Sequence, residues 1–157
     1  MKFLCDEMLK GLGRWLRAAG YDTIIADNGV ADRELIEQAR DEGRLLITRD
    51  RKLIEFRDAR KHVILLMSNH LQDCVRELNK IKDIDWSYRP FSRCLLCNHP
   101  LREADPGQYS QIPEESRRIA EQKSERVYWC DHCNKPYWAG SHVRRMRKTL
   151  SGWQDCR

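Results

Sequence analysis

The sequence predicts an α/β fold with a mainly parallel sheet in a three-layer arrangement, followed by a small C-terminal module built on cysteines. Short apolar runs alternate with amphipathic stretches through the first half, which is the pattern of βαβ units. Several of those runs end in an acid, and two Cys-x-x-Cys pairs appear in the second half.

Each element has a local reason. "KFLCD" at 2–6 is a short strand that ends in Asp6, and "MLKGLGRWLRAAG" then places Leu9, Leu12, Leu16 and Ala19 at helical spacing before Gly20 stops it. "DTIIAD" is a second strand, ending in Asp27. In "DRELIEQARDEG", Asp32 is expected as the N-cap, Leu35, Ile36 and Ala39 as the buried stripe, and Gly43 as the stop. "RLLIT" reads as a buried strand that breaks within two residues into Arg49, Asp50, Arg51 and Lys52, and "HVILLM" with a helix through "NHLQDCVRELNKI" completes the first unit. Residues 1–85 are expected to form this unit and residues 90–150 the cysteine module with a basic helix.

Composition narrows the class. With 41% apolar and 34% charged residues and no apolar run of membrane-spanning length, the chain reads as a globular protein with no membrane partner. Asp6 and Glu7 fall where a secretory segment would have to be apolar, so a cytoplasmic location is expected. The net charge of +5 is modest but clustered, with four Lys or Arg in "HVRRMRK". Such density suits nucleic acid as well as a plain solvated face.

Function follows from the topology. In a parallel sheet Asp6, Asp27 and Asp50 all emerge at one edge, where ligands of open α/β sheets bind, and the helix at Asp32 starts from the same edge. Each aspartate alone has a local explanation as a strand end or cap. Together they repel one another unless a cation lies between them, and oxygen-only ligation suits Mg²⁺ or Mn²⁺. Arg49, Arg51 or Lys52 would then face substrate phosphates. Lys10, Arg14 and Arg17 share one flank of the first helix, with Arg14 and Arg17 as further phosphate contacts. Ser68 and Asn69, after the fourth run, would reach the same edge or cap the helix that follows.

Asp6 after the first strand, "DRELIEQA" opening a helix and "LLITRDR" with its T-x-D segment together resemble PIN-domain nucleases. More closely, "FLCDEMLKGLGRWLRAAGYDT", "EGRLLITRDR" and the two later cysteine knuckles resemble the PIN-like RNase module found at the C-terminus of mutator-class exonucleases. The resemblance implies metal-dependent cleavage of RNA phosphodiesters, with Asp6, Asp32 and Asp50 as the catalytic, metal-holding acids. A helical Glu common in that family has no clear match, and Asp27 or Glu34 are the substitutes.

Seven cysteines in a cytosolic chain point to metal rather than disulfides. Cys94, Cys97, Cys130 and Cys133 are expected to hold one structural zinc, because four thiolates leave no open position. The long insert between the pairs is a small penalty, since loop-closure cost grows slowly with length. Redox activity of either pair lacks a thioredoxin-like context, and His99 and His132 are competing ligands. Cys5 and Cys74 read as small buried hydrophobes and Cys156 as part of a frayed tail. Pro106, Gly107 and Pro113 mark turns in the insert, with "PEESRRIAEQ" as a short helix.

Tyr128, Trp129, Tyr137 and Trp138 flank the second knuckle, and His142, Arg144, Arg145, Arg147 and Lys148 follow. The aromatics are expected to fill the ribbon core, while Arg144, Arg145 and Arg147 are expected to contact single-stranded RNA. The functional expectation is a divalent-metal-dependent ribonuclease on single-stranded RNA. The alternative is a non-catalytic RNA-binding or adaptor protein with the same fold. Nucleotide phosphoryl transfer is disfavoured by the lack of a glycine-rich phosphate loop. Monomer and homodimer both stay open.

Overall fold

A computed structural model describes residues 1–57, 59–123 and 125–155. Cys156 lies outside the described residues. Four strands, β1 (Lys2–Cys5), β2 (Asp22–Ile25), β3 (Leu45–Thr48) and β4 (Val63–Leu65), form an all-parallel sheet in the order β2-β1-β3-β4. The connecting helices are α1 (Lys10–Ala18), α2 (Asp32–Asp41) and α3 (Ala59–His62), and α4 (Leu71–Ile81) follows β4.

Strand periodicity splits the core into two layers. Phe3, Cys5, Ile47 and Ile64 point to one face and pack with Leu12 and Leu16 of α1 and Val75 and Leu78 of α4. Leu4 and Leu46 point to the other, against Leu35, Ile36 and Ala39 of α2. The helix-period stripes read from the sequence are thus the faces that close the sheet. Gly20 ends α1 in the left-handed region at φ 101°, and a Cβ there would lie 2.3 Å from the Arg89 carbonyl oxygen. Gly13 lets α1 lie directly on β2, since a Cβ would sit 2.7 Å from Ile25 Cγ1. Cys5 and Cys74 are buried, as small hydrophobes should be.

The second half forms an antiparallel sheet, β5 (Arg102–Glu103), β6 (Tyr128–Cys130) and β7 (Lys135–Tyr137). Helix α5 (Glu114–Gln122) arises within the insert, where its short helix is expected. It helps to bury a small core of Ala104, Ile112, Ala120, Val127 and Trp129. Trp129 is therefore structural.

The last helix, α6 (Ser141–Asp155), follows this sheet but returns to the first core. Met146 and Leu150 are buried there, and Trp153 meets Trp15 at 4.7 Å and Trp86 at 5.0 Å between ring centroids. Gln154 accepts the Trp86 backbone N–H at 2.9 Å. The basic helix is thus amphipathic, with its apolar side clamped to the parallel-sheet unit.

Arg17 corrects an expectation. It is 6% exposed, and its guanidinium donates to the carbonyls of Thr23, Leu95 and Leu96 at 2.8, 3.1 and 2.7 Å, so it is spent on structure and does not face phosphates. Beside it, Asn98 accepts the Thr23 N–H at 3.0 Å and donates to Asp22 at 2.7 Å. These two side chains cover the open edge of β2 and fasten the first knuckle to it. Replacing Arg17 with Met should lower stability by about 3 kcal/mol, because buried carbonyls lose a charged donor. Denaturant unfolding checks this, and the salt dependence of RNA binding should stay unchanged.

Candidate active site and metal centre

Parallel strands deliver their C-terminal ends to one edge, and four aspartates meet there. Asp6 follows β1, Asp27 follows β2, Asp50 follows β3, and Asp32 opens α2. All four line one cleft of about 140 Å³, with Glu7, Met8, Ala26, Gly29, Val30, Leu35 and Leu53 completing the walls. Glu34 is exposed in the first turn of α2 and does not line the cleft.

Asp6 is the fixed member. It is 7% exposed; Oδ1 accepts the Met8 N–H at 2.9 Å, and Oδ2 accepts the Arg49 N–H at 3.2 Å and the Thr48 hydroxyl. Thr48 Oγ1 in turn accepts the Asp50 N–H at 2.9 Å. This relay ties the end of β3 to the end of β1. Thr48 was singled out only as part of the T-x-D segment; its own role, orienting Asp6, depends on a contact between strands that spacing cannot show. Glu7 was likewise overlooked, although it stands next to Asp6.

Asp50 is both things the sequence suggested. It caps a 3-10 turn, Arg51–Glu55, by accepting the Lys52 N–H on Oδ1 at 2.9 Å, and it still lines the cleft. Asp32 is a correction: Ala31 is the N-cap and Asp32 the first helical residue, with no cap hydrogen bond from its side chain. Extended backbone at Ala31 moves the helix start by one residue, leaving the Asp32 carboxylate to the cleft. Among the described residues, Asp27 and Asp32 carry no side-chain hydrogen bond or ion pair.

The donor set is all oxygen, anionic and without a paired cation, which fits a hard dication. The carboxylates surround the cleft without closing on a point: no three bring oxygens within 4.8 Å of one another among the described residues.

Of the basic residues expected at phosphates, Arg14 and Lys52 are exposed and Arg49 is half-buried, and none of the three lines the cleft. Lys10 donates to Asn28 at 2.7 Å. Ser68 does not cap α4; its hydroxyl bonds Glu77, which also accepts the Met67 N–H at 2.7 Å. These bonds hold the Glu77 carboxyl below its usual range and pin the loop after β4.

The second constellation is sulfur. Cys94, Cys97, Cys130 and Cys133 bring their Sγ atoms within 4.8 Å of one another, with 3.7 Å between Cys94 and Cys133 and 3.5 Å between Cys97 and Cys130. Four sulfurs on a tetrahedral zinc stand about 3.8 Å apart, so this cluster can hold one zinc ion as found. Asn98 and Asn134, each following a knuckle's second cysteine, take φ of 70° and 52°, the left-handed turn that wraps a knuckle around its metal. Burial pushes the Cys94 thiol up, but the Tyr137 hydroxyl at 3.0 Å and the backbone amides of Cys97 and Leu96 bring it down to about 6. Tyr137 therefore supports a candidate ligand by hydrogen bond, while of the flanking aromatics Trp129 fills the small core and Trp138 packs against it.

The family model described as the Mut7-C RNase domain matches residues 1–150. The chain belongs to the Mut7-C RNase domain family. Over 101 residues it is 32% identical to the human "Exonuclease mut-7 homolog", a match covering 62% of this chain and 12% of that much longer protein. No solved structure matches significantly. The Mut7-C match spans both the acidic cleft and the cysteine cluster, so the two occur within one family unit. Family membership supports a nuclease role with RNA as substrate. No helix among the described residues is long and apolar enough to cross a membrane.

Of the expected RNA-contacting arginines on α6, Arg145 is exposed, Arg144 donates to the Ala139 carbonyl at 2.7 Å, and Arg147 lies over the Phe91 ring at 5.0 Å. Arg144 and Arg145 lie away from the buried Met146 and Leu150, whereas Arg147 flanks that side through Phe91, which packs in the same core. None lines the cleft.

Proposed function

We propose that the chain is a divalent-metal-dependent ribonuclease hydrolysing phosphodiester bonds of single-stranded RNA in the cytoplasm, with residues 1–85 carrying the chemistry and residues 90–150, zinc-bound, helping to hold substrate. The observation that carries this reading is the convergence of Asp6, Asp27, Asp32 and Asp50 on one cleft in an RNase-family chain. A bound Mg²⁺ or Mn²⁺ would supply an activated water and neutralise charge on the phosphoryl oxygens.

The chain's own groups do the rest. Asp6, held by three hydrogen bonds, and Asp50, held by one, offer fixed oxygens toward the cleft. Asp27 and Asp32, unengaged, can accept the proton of an attacking water. Arg49, Lys52 and Arg14 are the candidates to hold phosphate oxygens, and a guanidinium suits that role through paired N–H donors.

Two measurements test the reading. Mn²⁺ at about 100 times its Kd should raise the melting temperature by roughly 5–10 °C, a rise absent in Asp6→Asn. Changing Arg144, Arg145 and Arg147 together to Gln should reduce the salt slope of single-stranded RNA binding by about 2, and an unchanged slope would remove α6 from the interface.

A further inference from the structure

Two histidines are left over by the four-cysteine cluster. His99 follows the first knuckle and His132 lies inside the second, so loops that wrap one metal position bring their rings face to face, 4.3 Å between centroids and 11° between planes. Both are exposed, and a nitrogen of each lies within 4.8 Å of the other and of Cys97 Sγ, itself half-buried.

We propose that His99, His132 and the outward side of the Cys97 sulfur form a second, weaker site for a divalent metal of the zinc or cobalt class, with the Cys97 thiolate bridging to the ion of the four-cysteine site. The donor chemistry selects the metal: imidazole and thiolate favour borderline ions over Mg²⁺ or Ca²⁺. Donors on one tetrahedral ion stand about 3.3–3.6 Å apart, so closing the triad takes about an ångström of movement and a tilt of two stacked rings. Exposed rings can turn in this way without unpacking the core. Three protein donors leave one position to water, so this ion exchanges with solvent while the inner one is enclosed. The acidic cleft is a separate, all-oxygen site and offers no sulfur.

The test uses the full chain loaded with one equivalent of zinc, titrated with Co²⁺ under anaerobic conditions, beside His99→Ala with His132→Ala and beside Asp6→Asn with Asp50→Asn. The expected result is a thiolate-to-cobalt absorption band saturating near one added equivalent, with zinc retained. The band should persist in the aspartate variant and vanish in the histidine variant, whose zinc content stays at one equivalent. No band in the wild type, a band that grows only as zinc is released, or an undiminished band in the histidine variant would overturn the proposal. The proposal rests on the ribbon holding its metal: a preparation that carries no zinc defeats that reading, whereas a zinc-loaded protein without the band defeats only this one.

Discussion

Stripping zinc with a chelator, or replacing Cys130 with Ser, is expected to unfold far more than the cysteine module. Structural zinc contributes about 10–16 kcal/mol in small modules, as much as the whole stability of an ordinary domain. The small core of Ala104, Ile112, Ala120, Val127 and Trp129 could not replace that. The damage should spread by two routes. Arg17 and Asn98 fasten the first knuckle to the edge of β2, and α6, which follows the ribbon in the chain, supplies Met146, Leu150 and Trp153 to the parallel-sheet core. The near-UV circular dichroism of the Trp15, Trp86 and Trp153 group should therefore collapse on chelation, and the melting temperature should fall by roughly 15 °C or more. A Trp signal that survives metal loss would show that the sheet unit stands without its ribbon.

The second large effect concerns catalysis. Asp50→Asn should cut the rate of RNA cleavage by about 10³-fold or more, because losing an anionic oxygen at the metal removes several kcal/mol of transition-state stabilisation. Its stability should hardly change, since the amide oxygen can still accept the Lys52 N–H. Asp6→Asn should lose as much activity and also about 1–3 kcal/mol of stability. Its carboxylate accepts from Met8, Arg49 and Thr48, and an amide would set its NH₂ against one of those donors. Melting curves alongside single-turnover cleavage separate the two effects. Equal stability for the two variants would contradict the relay through Thr48.

Much of this was legible from residue order. Apolar runs such as "FLC" and "LLIT", alternating with stripes such as Leu35, Ile36 and Ala39, define parallel strands and their covering helices, because burial on both faces leaves no room for polar alternation. Asp6, Asp27 and Asp50 could be placed at one edge for the same topological reason. Two C-x-x-C pairs pointed to the four-sulfur cluster despite the long insert.

Other features depended on contacts between distant segments. Arg17 looked like a surface cation because charge is normally kept in water; only the meeting of α1 with β2 and the knuckle loop gives its guanidinium three carbonyls, one from Thr23 and two from Leu95 and Leu96. The apolar side of α6 was masked by basic density, although Val143, Met146, Leu150 and Trp153 recur at helical spacing. The helix start at Asp32 shifted by one residue, as boundaries do when two neighbours can both take extended backbone.

Whether the strand-edge carboxylates form a catalytic metal site, as we claim, is read from end-labelled single-stranded RNA incubated with Mg²⁺ or Mn²⁺. Wild type should cut only with metal present, while Asp6→Asn and Asp50→Asn bind the RNA and leave it intact. Wild type and variants that bind alike without cutting would contradict the claim and make the fold a recognition module.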